Sequence, residues 1–231
     1  MGKRGPDSRF EKAAMARGAI VICGIDEAGC GPWAGPVVAA AVIFDRSKKP
    51  PRGINDSKLL EPEVREKLFG AIHERAMVGI GIADVERIDR DNILQARLWA
   101  MQQAVLSLAA TPCVALVDGD RAPTLACTVE TIVEGDRKSL SIAAASIIAK
   151  VTRDRLMVAL HEQYPDYGFA QHKGYGTIEH QAALARLGPS PHHRKSWAPI
   201  RALMETGSLF SHPEVVRGES EASKDSHEHA A

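Results

Sequence analysis

The run Ala19–Ile25 is apolar and rich in β-branched residues, and it ends without transition in two carboxylates, Asp26 and Glu27. Such a run, with no polar alternation, reads as a strand buried on both faces, which requires a sheet with helices packed on each side. Gly29, Gly31, Pro32, Gly35 and Pro36 then make a stiff turn, and a second apolar run, Val37–Phe44, leads away close enough to pair as a hairpin. Two acids at the end of a buried strand raise each other's pKa unless something offsets their charge. A hard divalent cation does so, because it takes carboxylate oxygens. A lone Asp-Glu pair more often starts a solvated turn, so the metal reading depends on the rest of the chain.

Further along, more acids fall in comparable positions. Residues 45–62 form a polar loop containing Asn55-Asp56-Ser57-Lys58, and Pro62 opens a helix with Val64, Leu68 and Ile72 on one face. Met77–Val85 reads as a third strand. A long helix is expected from Asp89 or Asn92 to about Ala110, with Leu94, Leu98, Met101, Val105 and Leu108 as its core-facing stripe. Cys113–Val117 is another buried strand, and it too ends on an acid, Asp118. If it runs parallel beside the first, Asp118 arrives next to Asp26 and Glu27, because ligand sites in α/β sheets lie outside the carboxyl ends of the strands. A strand over 127–133 leads to Glu134-Gly135-Asp136. Ser139 or Ser141 then caps an alanine-rich helix that carries Ser146, Lys150 and Asp154 on one face. Past Tyr164 the periodicity weakens, with a short helix over Ile178–Leu187.

Any one of Asp26, Glu27, Asp118 and Asp136 is most simply a turn residue or a helix cap. Together in one domain they are better explained by metal binding, and oxygen-only ligation favours Mg²⁺ or Mn²⁺ over zinc. Two such ions about 3.5–4 Å apart would clamp the attacking and leaving oxygens of a phosphoryl displacement. The residues alone therefore indicate a metal-dependent enzyme acting on a phosphate or phosphodiester. At 231 residues and 45% hydrophobic content, one domain over 19–205 is expected, between a flexible basic tail at 1–18 and a disordered tail at 206–231. Formal net charge is zero, so a nucleic acid would have to be held by local patches. The four cysteines show no metal spacing, and no signal peptide or membrane span is evident, which points to a soluble cytoplasmic protein.

The stretches DEAGCGPWAGPVVAAAV, NDSK, VDGD, EGDRKSLSIAAASIIAKVTRD and YGFAQHKGYGT, followed by GPSPHHRKSW, resemble the ribonuclease HII family in order and spacing, over essentially residues 19–200. The resemblance implies a ribonuclease H-like α/β fold: a mixed five-stranded sheet flanked by helices, with a small helical C-terminal portion. It implies an endonuclease that cuts the RNA strand of RNA–DNA hybrids. It also implies nicking of duplex DNA 5′ of embedded ribonucleotides, leaving 3′-hydroxyl and 5′-phosphate ends. The family's metal site maps onto Asp26, Glu27, Asp118 and Asp136, and its junction-reading tyrosine onto Tyr175. The ions would be Mn²⁺ or Mg²⁺, two of them during catalysis, and the chain is expected to act as a monomer. The large extra N-terminal domain typical of ribonuclease HIII is not expected, since only 18 residues precede the first strand.

Substrate contacts are expected from Gly29, Cys30 and Gly31, from Tyr175 between its flanking glycines, and from Lys58, Lys150, Lys173 and Arg194 on backbone phosphates, although a lone cation is commonly a solvated surface charge. His172, His192 and His193 read as phosphate-facing or surface groups, and Asp154 as the ion-pair partner of Lys150. The chain departs from the family at Cys30, where an arginine is usual; retention of Gly29 and Gly31 favours a motif that works through its backbone. Two other classes compete. One is another two-metal phosphohydrolase or nuclease on the same fold, against which the glycine-flanked tyrosine argues. The other is a non-catalytic nucleic-acid-binding module, against which the four intact acids argue.

Overall fold

The computed structural model describes residues 5–209, so most of the tail expected over 206–231 lies outside them. One mixed sheet runs through these residues, in the order β3-β2-β1-β4-β5. Its strands are β1 (Ile22–Ala28), β2 (Val37–Phe44), β3 (Ala76–Ala83), β4 (Val114–Asp118) and β5 (Thr128–Ile132). The expected hairpin is present: β1 pairs antiparallel with β2, and β2 with β3. On its other side β1 pairs parallel with β4, and β4 with β5.

Two helix layers cover the sheet. On one face lies α5 (Leu140–Gln163), capped by the Ser139 hydroxyl, which accepts the Ile142 N–H at 3.3 Å. Its alanines let it lie close against β1 and β2, and buried Ile147 and Ile148 pack with Ala40, Val42 and, from α2 (Pro62–His73), Leu68 and Ile72. A buried isoleucine of this kind contributes about 1.5–3 kcal/mol. Val64 on α2, expected on the same face as Leu68 and Ile72, is exposed instead.

The opposite face carries α3 (Val85–Asp91) and α4 (Ile93–Leu106); of the two expected starts, Asp89 or Asn92, the helix takes Asn92, and it ends at Leu106 rather than near Ala110. Asn92 separates α3 from α4: its backbone is left-handed at φ 71°, and its side chain caps α4 by accepting the Leu94 and Gln95 N–H groups. Of the expected core stripe, Met101 is buried and Leu98, Val105 and Leu108 pack against the core, while Leu94 is exposed. Ala96, Ala100 and Ala104, which that stripe did not include, are buried against the sheet as well. The reason lies in β3, where a Cβ on Gly79 or Gly81 would come within 2.0 Å of the Ala104 or Ala100 carbonyl oxygen. The backbone of α4 thus lies directly on β3, an approach that the small side chains of Ala100 and Ala104 permit.

Of the N-terminal tail, expected to be mobile with at best a short helix, the described part forms that helix and is held in place. Arg9–Ala16 form α1, with Ala14 buried against Ile22, Val114 and Ile142. Glu11 Oε1 accepts the Ser139 and Ser141 hydroxyls at 2.6 and 2.7 Å and the Ser141 N–H at 2.8 Å, so α1 is fastened to the start of α5. Beyond α5 come the short helices α6 (Phe169–His172), α7 (Ile178–Leu187) and α8 (Ala198–Thr206), the small C-terminal helical portion. No helix among the described residues is long and apolar enough to cross a membrane.

Candidate active site

The parallel ladder between β1 and β4 determines where the acids emerge. Ile25 pairs with Val117, so the residues that follow, Asp26 and Asp118, leave the sheet side by side. Strand alternation sends neighbouring residues to opposite faces. Ile25 belongs to the core under α4, so Asp26 turns toward the α5 side and Glu27 toward α4. There Arg97 donates to Glu27 Oε1 at 3.3 Å. Asp136 is brought in by its neighbour, for the Gly135 N–H donates to Asp118 Oδ1 at 2.6 Å. Gly135 has no room for a side chain, since a Cβ there would stand 2.7 Å from Ile142 Cδ1 and 3.3 Å from that same Asp118 oxygen. Glu134, just before it, takes a left-handed backbone at φ 53°.

The four acids feel one another. Asp26, only 5% exposed, is held well above the usual carboxylate range by burial first, and then by the charges of Glu27 and Asp118. Burial raises Glu27 too, against the pull of Arg97. Asp136 is pushed up to about 6 by burial and by Asp56 and Asp118. Lys58 is the responding cation: burial opposes its charge, but Asp136, Asp26, Asp56 and Asp118 outweigh that and raise its pKa. Among the described residues no three Asp, Glu, His or Cys side chains already form a metal cage, as befits like charges splayed across two faces of a strand end. Glu27 Oε2 is buried with no hydrogen-bond partner, an acceptor left open for a cation. The donor set is all carboxylate oxygen, which suits Mg²⁺ or Mn²⁺.

Sequence reading missed Asp56, Arg97 and Arg153. Asp56 is buried, caps its own loop by accepting the Lys58 N–H at 2.9 Å, and pairs with Arg137 at 3.1 Å. In this way it presents Lys58 to the acids. Nothing local in sequence marks Arg97 as the partner of a distant strand end, or Arg153 as that of a distant loop.

The substrate candidates divide. Lys150 and Lys173 line one groove of about 610 Å³ with Arg65 and Arg155, and Lys150 pairs with Asp154 at 2.8 Å as expected. Tyr175 is 46% exposed and stands near Gly31. Arg194 is a correction. It is fully buried, and it donates to the carbonyls of Cys30 and Gly35 at 2.9 Å and to that of Gly29. It is a strut beneath the 29–36 loop rather than a phosphate contact, and Arg153, donating to the Pro36 and Ala34 carbonyls, is a second. Burial lowers Arg194 to about 9, which still leaves it charged near neutral pH. His172 and His193 are likewise buried rather than surface groups, and His192 is partly so. A cavity of about 700 Å³ opens at the other end of the sheet, by Ile22, Phe44 and Ala76, and has no part in this arrangement.

Residues 23–200 match the family model of Ribonuclease HII. The ribonuclease HII of Parvibaculum lavamentivorans is 52% identical over 218 residues, covering 93% of this chain and 79% of its own length. That of Bradyrhizobium diazoefficiens is 57% identical over 195 residues, covering 84% of this chain and 74% of its own. Among solved structures, the ribonuclease H2 of Pyrococcus horikoshii OT3 superposes with a TM-score of 0.69 at 28% identity, covering 80% of this chain and 98% of that one.

Proposed function

This chain belongs to the ribonuclease HII family, and from that premise we propose that Asp26, Glu27, Asp118 and Asp136 hold the two divalent ions, Mg²⁺ or Mn²⁺, with which it cuts. The enzyme is a metal-dependent ribonuclease H, an endonuclease acting on RNA–DNA hybrids. The observation that carries the site assignment is the adjacency of Asp26 and Asp118 across the parallel ladder, with Asp136 tied to Asp118 through Gly135. Bound there, the ions supply Lewis-acid stabilisation of the charge that develops on the phosphate.

The chain's own residues do the rest. Four carboxylates match the charge of two dications, so the scissile phosphate's charge falls to neighbouring cations. Lys58 is the nearest candidate, held at the acids by the Asp56 cap. Lys150 and Lys173 track the backbone phosphates farther along their groove. The 29–31 backbone approaches the ribose, with the Gly29 and Cys30 carbonyls drawn inward by Arg194. Tyr175 stacks on the sugar at the RNA–DNA junction, where the 2′-hydroxyl alone distinguishes the two chemistries. The cut falls 5′ of an embedded ribonucleotide and leaves 3′-hydroxyl and 5′-phosphate ends, and the enzyme works as a monomer.

A DNA duplex carrying one ribonucleotide, incubated with Mg²⁺, Mn²⁺ or EDTA, tests this reading. A single cut 5′ of the ribonucleotide with metal and none with EDTA is expected. Cutting in EDTA, or equal cutting of an all-DNA duplex, overturns it.

A further inference from the structure

His172, His180 and His193 form a buried cluster below Tyr175, and their partners fix every ring proton. His172 Nδ1 accepts the Gly174 N–H at 3.1 Å, so its proton is on Nε2 and is donated to the Tyr167 carbonyl at 2.7 Å. His193 Nδ1 accepts the Ser190 N–H at 2.9 Å, so its proton is also on Nε2. That atom faces His180 Nε2 at 2.9 Å, which must therefore accept. The His180 proton is then left on Nδ1, where it is donated to the Tyr175 carbonyl at 2.9 Å. A directed chain thus runs from the Ser190 N–H through two neutral imidazoles to the backbone of Tyr175. Burial keeps the rings uncharged, holding His180 at about 4 and His193 at about 3.

The same segment holds the loop beside Glu27. Ala34 and His193 form a backbone bridge, flanked by the Gly35 N–H on the His192 carbonyl and the Arg194 N–H on the Trp33 carbonyl, both at 2.9 Å. Trp33 closes the arrangement. Its N–H donates to the Gly174 carbonyl at 2.8 Å, and its ring lies so close to Gly176 that a Cβ there would be 2.3 Å away. Residues 190–194 therefore touch both walls between which the substrate is read.

We propose that His193, acting through His180, is a positioning residue that sets Tyr175 against the 29–31 loop, and that preference for a single embedded ribonucleotide depends on it. The inference rests on the junction-reading role of Tyr175 given above. A uniform RNA–DNA hybrid offers 2′-hydroxyls at every register and tolerates a displaced reader, whereas a single ribonucleotide offers one.

The test measures kcat/KM on a single-ribonucleotide duplex and on a uniform hybrid, for His193→Leu, His193→Gln, Tyr175→Ala and the Tyr175→Ala/His193→Leu double variant. His193→Leu, which removes the donor, is expected to lose at least tenfold more on the single-ribonucleotide duplex than on the hybrid. His193→Gln keeps an N–H to offer His180 and stays within threefold of wild type. The double variant discriminates no worse than Tyr175→Ala alone, as groups acting in one chain do. If Tyr175→Ala shows this differential loss but His193→Leu loses equally on both substrates, the inference is overturned and the reading of Tyr175 stands. If Tyr175→Ala shows none, the reading itself fails and takes the inference with it. Nitrogen-15 NMR of the wild-type histidines needs no folded variant: a proton on His180 Nε2, or on His193 Nδ1, overturns the relay.

Discussion

The ring of Tyr175 stands over Gly31: a Cβ placed on that glycine would meet Tyr175 Cε1 at 3.8 Å. The loop that follows β1 and the loop after α6 thus meet at these two residues, the two sides of the reading surface proposed above. If the ring acts by stacking, Tyr175→Phe keeps the interaction and Tyr175→Ala removes it. Stacking on a nucleotide is worth about 1–3 kcal/mol by alanine substitution, or roughly 5- to 150-fold in kcat/KM. Cleavage of a single embedded ribonucleotide is expected to fall by that factor in Tyr175→Ala and by less than about threefold in Tyr175→Phe. Steady-state kinetics of the two variants check it, and wild-type cutting by Tyr175→Ala would end the junction-reading assignment.

Asp118→Asn separates the metal role from the structural one. The amide keeps an oxygen that can accept the Gly135 N–H, so β4 and the turn carrying Asp136 should form as before. What is lost is one anion from the proposed two-metal site, where such a group contributes several kcal/mol to transition-state stabilisation. At about 1.4 kcal/mol per tenfold, cleavage should fall by roughly 10²-fold or more. Single-turnover cleavage with circular dichroism decides it: near-normal turnover by a folded Asp118→Asn enzyme removes Asp118 from the site.

In the absence of metal the acids destabilise the fold, and Asp136 gives the sign. Its pKa is raised from 3.8 to about 6 by burial and by neighbouring acids. Between those values the folded chain binds more protons at this group than the unfolded chain does, so its contribution to stability falls as pH rises through the window and is constant above it. Asp136→Asn should therefore melt higher than wild type in EDTA at pH 8 and no higher at pH 3.5. With partial screening by water the gain is about 1–2 kcal/mol, or roughly 2–8 °C. A lower melting temperature for the variant at pH 8 in EDTA would show that Asp136 stabilises the metal-free fold.

The sequence made the strand ends legible and left the struts hidden, for a physical reason. Asp26, Glu27 and Asp118 stand out because a buried strand is a contiguous run and each acid lies at the end of one, although any one of them alone reads as a turn residue or a cap. Of the helix stripe expected past Asn92, Leu98, Met101, Val105 and Leu108 do pack on the core, but Ala100 and Ala104 were passed over, because what draws them to the sheet is Gly79 and Gly81 on a strand remote in sequence. Arg194 misled in a different way. A cation beside two histidines in a polar segment looks like a phosphate contact, but its role comes from the carbonyls of Gly29, Cys30 and Gly35, which only the folded chain brings to it. Glu11 was lost for the same reason, since its partners Ser139 and Ser141 lie on α5.

Cys30 and Gly31 put the backbone reading of the glycine loop at risk. Cys30 Sγ lies 3.5 Å from Glu27 Oε1, and burial together with that neighbouring charge pushes the thiol up to about 12, so it stays protonated and takes no part in nucleophilic chemistry. An arginine there, as the family usually has, would add a cation beside a carboxylate already served by Arg97 at 3.3 Å. Cys30→Arg should leave the cleavage position unchanged and tighten binding modestly. One added phosphate contact steepens the salt dependence by about one counterion, so that advantage should shrink about threefold between roughly 50 and 200 mM salt. Gly31→Ala carries the sharper consequence. In the protein itself the site is open, for the nearest atom to an added Cβ is Tyr175 Cε1 at 3.8 Å, an ordinary contact, so the variant should fold and melt like wild type. Any loss of cleavage then reports the approach of the ribose to the backbone, which a methyl group obstructs. Cleavage of a single-ribonucleotide duplex is expected to fall at least tenfold in Gly31→Ala with an unchanged melting temperature; full activity would mean that the substrate does not approach the backbone at this glycine.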